Sequence, residues 1–226
     1  MSMPPTPPHP SGNAFNRLAK RQLGDALAAA AARHARGRLI DIGCGEKPYA
    51  AALAPHVDEH LGVDHAGSPH ALTSVDVLAG AYEIPLADAS FDTALMAEVL
   101  EHLEDPGRAL AEANRLLRPG GTLILTVPFM WALHEEPRDF FRYSPHGLRH
   151  LLAAAGFAGI DVRPLSGQWS TLALLGGYAL RTTRLGRFDR GLARVAGAAQ
   201  RLAARRDAAR PKPWMSWNHI AIAQRR

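Results

Sequence analysis

Cysteine is nearly missing from this chain. Cys44 is the single one among 226 residues, so no internal disulfide can staple the fold and no multi-cysteine metal centre can form. Long apolar runs are missing too. The most apolar late stretch, Trp169 to Leu180, is stopped by Arg181 and Arg184, short of the roughly eighteen residues that a membrane-spanning helix needs. No basic, apolar and small-residue leader pattern opens the sequence, and the expected location is the reducing cytoplasm. Internal repeats are absent. What remains is an ordinary globular balance, 47% hydrophobic and 21% charged, far from the hydrophobicity-poor regime of disordered chains.

The length suits one α/β domain with an elaboration. A formal net charge of +5 fits an acidic partner such as nucleic acid, anionic lipid or a phosphorylated substrate. The excess is uneven: arginines gather from Arg181 to Arg210, while Asp41 to Asp105 is acidic. Half of Met1 to Pro10 is proline, which removes amide donors and fixes φ. Residues 1–12 are therefore read as a disordered lead-in, and 13–226 as the domain, with a helical arginine-rich insert at about 168–210.

Leucines and alanines at helical spacing predict an amphipathic helix from Asn13 to about Arg36, ended by Gly37. Short apolar runs follow. Arg38 to Ile42, His60 to Asp64, Leu72 to Val77, Phe91 to Ala97 and Thr122 to Val127 read as buried strands. Helices are expected near Tyr49 to Ala54 and from about Asp105 to Leu117, the latter closed by Pro119-Gly120-Gly121. Pro145 to Ala155 is a further helix, capped by Ser144 and stopped by Gly156, and Ile160 to Pro164 and His219 to Ala223 are late strands. This alternation predicts βαβ units in a doubly wound α/β fold with helices on both faces of a mostly parallel sheet.

The first strand runs into Gly43-Cys44-Gly45, within LIDIGCGEKPY. Glycines there permit a sharp turn and close approach of a ligand to the main chain. Asp64 ends the next strand about twenty residues on, where a ribose-binding carboxylate belongs. A dinucleotide loop would carry a third small residue where this chain has Pro48. Asp41 would repel a pyrophosphate but could pair with the α-ammonium of an amino-acid moiety. The loop thus favours a cationic cofactor, S-adenosylmethionine, over NAD. An unliganded strand-to-helix turn is the bland alternative for the glycines alone.

LIDIGCG, the strand end GVDH and the run AYEIPLADASFDTALMAEVLEHLEDPGRALAEANRLLRPGGTLILTVPF resemble the class I S-adenosylmethionine-dependent methyltransferases. The resemblance is to the large family that includes the ubiquinone and menaquinone biosynthesis enzymes, and it covers about Arg38 to Gly156. It implies a Rossmann-like seven-stranded sheet in the order 3-2-1-4-5-7-6 with the last strand antiparallel. It implies that Asp41, Gly43 and Gly45 line the methionine part of the cofactor, with Cys44 and Tyr49 beside them. Asp64 would bind both ribose hydroxyls, next to His65, and Met96, Ala97 and Glu98 would face the cofactor. Many relatives carry an aspartate toward adenine where this chain has Gly80, so Ala81 and Tyr82 are assigned to adenine through main-chain atoms and stacking. S-adenosylhomocysteine would be the product.

Methyl transfer asks the protein mainly to align and desolvate, with a base where the acceptor holds a proton. The segment LHEEPRDFFRYS should form a loop over the carboxyl edge of the sheet. In it His134 is the candidate base or acceptor-orienting group, with Glu135 as its carboxylate partner. Arg138, Asp139, Arg142 and Tyr143 are the candidate substrate contacts, the arginines for an anionic group. Alternatively Arg138, Asp139 and Arg142 form ion pairs that pin the loop, and His134 caps a turn. His102 in EVLEHL reads first as a structural hydrogen-bonding residue. No metal is expected.

The expected acceptor is a small molecule, methylated on oxygen, with nitrogen or carbon as alternatives. A membrane lipid or glycan acceptor, or a cofactor-binding but catalytically silent partner protein, are the competing readings. The insert's Arg181, Arg184, Arg187, Arg190 and Arg194 recur at near-helical spacing, which fits peripheral membrane contact, a homodimer contact, or a solvated surface packed on the domain. Nucleic acid is not expected as a partner. The place after the fourth strand reads MAEVLEH, unlike the proline-rich motif of amino-methylating DNA enzymes, and no RNA-binding module is present.

Overall fold

The computed structural model describes residues 16–182, 189–209 and 214–226. The proline-rich lead-in, Leu185, Phe188 and the arginines at 184, 187 and 210 lie outside the described residues.

Seven strands form one sheet in the order β3-β2-β1-β4-β5-β7-β6. They are β1 (Arg38–Ile42), β2 (Glu59–Asp64), β3 (Val77–Leu78), β4 (Phe91–Ala97), β5 (Leu117–Pro128), β6 (Phe157–Pro164) and β7 (Asn218–Arg225). β7 lies antiparallel between β5 and β6, and the other pairings are parallel. Six helices accompany them among the described residues: α1 (Arg17–His34), α2 (Ala50–Leu53), α3 (Pro106–Leu116), α4 (Pro145–Ala154), α5 (Gln168–Thr182) and α6 (Asp189–Ala209).

The two faces of the sheet follow from the alternation of side chains along a strand. Leu39, Leu95, Ile124 and Ile220 point to one face and pack with Leu18, Leu23 and Leu27 of α1 and Leu174 of α5. Ile40, Ile42, Ala94, Met96, Leu123 and Leu125 point to the other and meet Leu110, Ala113 and Leu116 of α3 and Leu148 and Leu152 of α4. Both faces are covered, which is why the central strands read as near-continuous apolar runs.

The helix starts obey local chemistry. Asp105 accepts the Arg108 N–H at 3.0 Å ahead of Pro106, and Ser144 accepts the Gly147 N–H at 3.1 Å ahead of Pro145. Such caps satisfy amide donors that the first turn leaves over.

Two expectations need correction. Leu72 to Val77 is not a strand: Leu72–Ser74 is a 3-10 turn and β3 keeps two residues. Asp76 explains this, because its carboxylate takes the Gly62 N–H at 2.6 Å and the Lys47 ammonium at 2.6 Å, ending regular pairing at this edge. Pro119-Gly120-Gly121 does not close α3 either. The helix ends at Leu116, and these residues open β5.

The insert is two helices packed on each other and on α1. Asp207 of α6 accepts the N–H groups of Trp169 and Ser170 at 3.2 and 2.8 Å, capping α5 across the pair. Val195 and Leu202 stay exposed on α6. Among the described residues no helix is long and apolar enough to cross a membrane.

His219 in β7 is 3% exposed and its Nδ1 has no hydrogen-bond partner. Burial pushes its pKa down to about 4, so the folded state favours the neutral ring. The stabilisation is complete above the unfolded value near 6.5 and drains away as pH falls toward 4, because the unfolded chain takes the proton first. Urea unfolding at pH 7.5 and 4.5 should show a loss of up to about 3 kcal/mol from this group. His219→Gln should lose correspondingly less, and identical losses in the two proteins would rule the effect out.

Candidate active site

The site is assembled at the carboxyl ends of β1, β2, β4 and β5, the edge where open α/β sheets bind ligands. After β1 the chain turns through Gly43 at φ +74° and Gly45 at φ +49°, a left-handed geometry that side chains rarely adopt. A Cβ on Gly43 would stand 2.5 Å from Cγ2 of Val99. The turn is held against β2 by the N–H groups of Gly43 and Cys44, which donate to the Val63 carbonyl at 2.8 and 3.1 Å.

Asp64 completes that cradle. Its Oδ2 accepts the Gly45 N–H at 2.9 Å and its Oδ1 the His65 N–H at 2.7 Å, so each oxygen is oriented by one donor and keeps a lone pair. Asp41 is 3% exposed, and its Oδ2 meets Nε2 of His60 at 3.0 Å. Burial raises the Asp41 pKa, against the opposing hydrogen bond and charge of His60 and the charge of Lys47. Cys44 is buried, and burial pushes its thiol up to about 12, so it is no nucleophile at neutral pH. Burial, with the charges of Glu98 and Asp41, also raises the Tyr49 phenol.

On the flank, Tyr82 accepts the Asp105 N–H at 3.1 Å on its hydroxyl and lies under the Arg108 guanidinium at 5.4 Å. Ala81 is half-buried beside it. Met96 is fully buried, and Ala97 ends β4. Glu98 then leaves the strand at φ +58°, a conformation that costs a non-glycine residue energy and concentrates at functional sites. Both of its carboxylate oxygens receive Asn218 Nδ2 at 2.8 Å. Burial and the Glu101 charge push its pKa up to about 8.

The 129–144 segment closes over this edge as expected, and most of its polar groups are spent on holding it there. Arg142 grips Asp139 with contacts of 2.6 and 2.7 Å and also donates to the carbonyl of Ala132. Tyr143 is buried and donates its hydroxyl to the Leu100 carbonyl at 3.0 Å. Phe140 N–H donates to the Glu101 carbonyl at 2.9 Å. Asp139 and Arg142 thus bond to each other within the loop and Tyr143 bonds to Leu100, while Arg138 is exposed.

What the loop encloses is a chain of imidazoles and carboxylates. Asp139 accepts the backbone N–H of His134 at 2.9 Å, and its Oδ2 stands 3.4 Å from the His134 Nδ1. His134 Nε2 and His102 Nε2 face Glu101 Oε1 at 3.8 and 3.6 Å. Burial pushes Glu101 up to about 7. Glu135 links His102 to His70, each at 3.8 Å, and His70 lies against Gly45. The loop thus spans from the glycine turn to the buried glutamate.

Sequence reasoning named the glycine turn, both aspartates, Glu98, His134 and Glu135, and gave no role to His60, Glu101 and Asn218, which the structure places beside them. His60 sits on the neighbouring strand, where the parallel register sets Leu39 opposite it. Knowledge of that register was the missing signal.

The profile of a family described as a methyltransferase domain matches residues 40–125. The O-methyltransferase rstn1 of Aspergillus nomiae is 30% identical over 173 residues, 65% of this chain and 75% of its own length. The ubiquinone biosynthesis O-methyltransferase of Azorhizobium caulinodans is 31% identical over 60% of this chain and 66% of its own. An uncharacterized 37.1 kDa protein in transposon TN4556 of Streptomyces fradiae is 33% identical over 63% of this chain, which spans 44% of that protein's length. Among solved structures, the [4+2]-cyclase SpnF superposes with a TM-score of 0.63 at 24% identity, covering 96% of this chain and 86% of that one. With the sheet order, the glycine turn and its two aspartates in place, these matches make the chain a member of the class I methyltransferases, whose cofactor is S-adenosylmethionine.

Proposed function

We propose that this protein transfers the methyl group of S-adenosylmethionine to a hydroxyl oxygen of a small-molecule acceptor, in a reducing, cytoplasmic setting. One observation carries the choice of oxygen. Beside the glycine turn, through His70 and Glu135, stands a cluster of imidazoles and carboxylates suited to a proton that a hydroxyl acceptor must lose. Two relatives named O-methyltransferases support the same choice.

In this reading Asp41 receives the α-ammonium of the cofactor, Gly43 and Gly45 let its methionine part approach the main chain, and Asp64 takes the ribose diol. Ala81 and Tyr82 flank adenine. His134 and Glu135 handle the acceptor's proton, and Arg138 meets an anionic part of the acceptor. Transfer breaks the bond from methyl carbon to sulfur and leaves S-adenosylhomocysteine, so the protein's work is alignment and exclusion of water.

Calorimetry with S-adenosylmethionine, S-adenosylhomocysteine and NAD tests the frame. The first two should bind and NAD should not. Asp41→Asn removes the charge opposite the ammonium but keeps the shape. Cofactor affinity should fall about 30-fold, the worth of one hydrogen bond to a charged group. Stability should hold or rise, because the buried carboxylate is replaced by a neutral amide. Unchanged affinity in Asp41→Asn would remove this residue from the cofactor site.

A further inference from the structure

Glu101 is fully buried, and neither of its carboxylate oxygens has a hydrogen-bond partner. A buried carboxylate left in that state is costly, and each such group calls for an explanation. The atoms facing it sharpen the question. Oε1 lies 3.6 Å from Nε2 of His102 and 3.8 Å from Nε2 of His134.

The far sides of both rings decide what those nitrogens offer. His102 Nδ1 is hydrogen-bonded to the Arg138 carbonyl, which can only accept, so Nδ1 carries the proton and Nε2 presents its lone pair. His134 Nδ1 faces two acceptors, the Ala132 carbonyl at 3.3 Å and Asp139 Oδ2 at 3.4 Å. One donor also approaches it, Arg142 Nη2 at 3.4 Å. The two hydrogens of that Nη2 already go to Asp139 and Ala132, at 2.7 and 3.0 Å, so Nδ1 of His134 holds the proton too. Two imidazole nitrogens and a carboxylate oxygen then converge on one space, and the carboxylate is the group with no hydrogen-bond partner. Such a cluster suits a positive centre.

Two neutral imidazoles and one carboxylate, each ring fixed by an acceptor on its other nitrogen, form a ligand set suited to divalent first-row transition ions. The three ligand atoms lie within 4.8 Å of one another. Donors about 2.0–2.2 Å from a shared ion stand about 3–3.5 Å apart, so small side-chain rotations close the site. We propose that Glu101, His102 and His134 bind one divalent transition ion, Zn2+ best among the common ones, and that its open position takes the acceptor's hydroxyl oxygen. Glu135 stands at the rim, 3.8 Å from the His102 Nε2.

The catalytic half of this inference rests on the methyl-transfer reading, whereas the binding half does not. With the ion in place the acceptor's O–H bond breaks and its proton passes to the Glu135 carboxylate. The oxygen then forms its bond to the methyl carbon as the carbon–sulfur bond breaks, and sulfur keeps the electron pair. His134 serves by coordination, and the base is Glu135.

The test uses untagged full-length protein stripped with EDTA and titrated with Zn2+, Mn2+ and Mg2+ by calorimetry. One equivalent of Zn2+ should bind at micromolar affinity or tighter, with Mg2+ at least 100-fold weaker. Glu101→Gln and His102→Asn should each weaken Zn2+ binding at least 100-fold while their melting temperatures stay close to that of the stripped parent. Replacing the ion by Co2+ should give visible absorption bands of a nitrogen–oxygen site in the parent and not in Glu101→Gln. Failure of the stripped parent to bind one equivalent, or equal binding by parent and Glu101→Gln, overturns the proposal. S-adenosylhomocysteine titrated into the same stripped protein keeps the two ideas apart: cofactor binding without Zn2+ binding sinks the ion alone, and the converse sinks the methyl-transfer reading.

Discussion

His134→Ala lowers turnover about a thousandfold or more and leaves S-adenosylhomocysteine affinity within about twofold of the parent, the upper range for losing a group that handles the transferred proton. The asymmetry follows from placement. His134 sits on the acceptor side of the site, its backbone N–H held by Asp139 at 2.9 Å and its Nε2 turned toward Glu101. The groups assigned to the cofactor lie instead on the β1 and β2 loops. The loss is expected whether the ring accepts a proton or coordinates an ion. Methyl release from labelled cofactor onto a panel of hydroxylated aromatic acceptors measures it, with calorimetry as the control. Retention of full activity would exclude His134 from the mechanism, and a parallel collapse of cofactor affinity would show a misfolded edge.

Gly43→Ala should cost about 4 kcal/mol of stability and at least 100-fold in cofactor affinity, from two separable sources. A left-handed backbone costs an alanine about 1–2 kcal/mol, and φ at this position is +74°. The new methyl would also stand 2.5 and 2.9 Å from the two γ-methyls of Val99, an overlap that packed interiors relieve at about 1–3 kcal/mol. Adding Val99→Ala should return the steric share and leave the conformational one, so the double variant recovers about half of the lost stability by urea unfolding. If Gly43→Ala alone melts like the parent, the turn is not the constrained element described above.

The sheet was readable in advance because each central strand is buried on both faces and so announces itself as an apolar run, and because the glycine turn needs residues that no ordinary strand end needs. The two buried aspartates were readable for the same reason: Asp41 and Asp64 interrupt apolar strands where burial of a carboxylate demands a purpose. Pairs that exist solely through the fold were not. Asn218 meets Glu98 across 120 positions of sequence, and His60 reaches Asp41 from the next strand. In EVLEHL the sequence offered His102 as a structural hydrogen-bonding residue, and the chain makes a single 3-10 turn over Leu100–His102. That turn drives Glu101 inward and brings His102 under the loop. Edge strand β3 was overestimated because its polar residues, Asp76 above all, prefer side-chain bonds to the ladder.

The order of β5, β7 and β6 bears on how the molecule comes into being. Among the described residues β6 borders no partner except β7, and β7 follows both helices of the insert in the chain. While a ribosome is still making the insert, β5 and β6 have a strand-wide gap between them, with ladder amides on either side that only water can serve. The sheet closes when the segment through Arg225 emerges and slides into that gap, bringing Asn218 against Glu98. Long-range closure of this kind is slow and leaves exposed strand edges meanwhile, so docking of β7 completes the edge around Glu98 and covers those strand edges in one event.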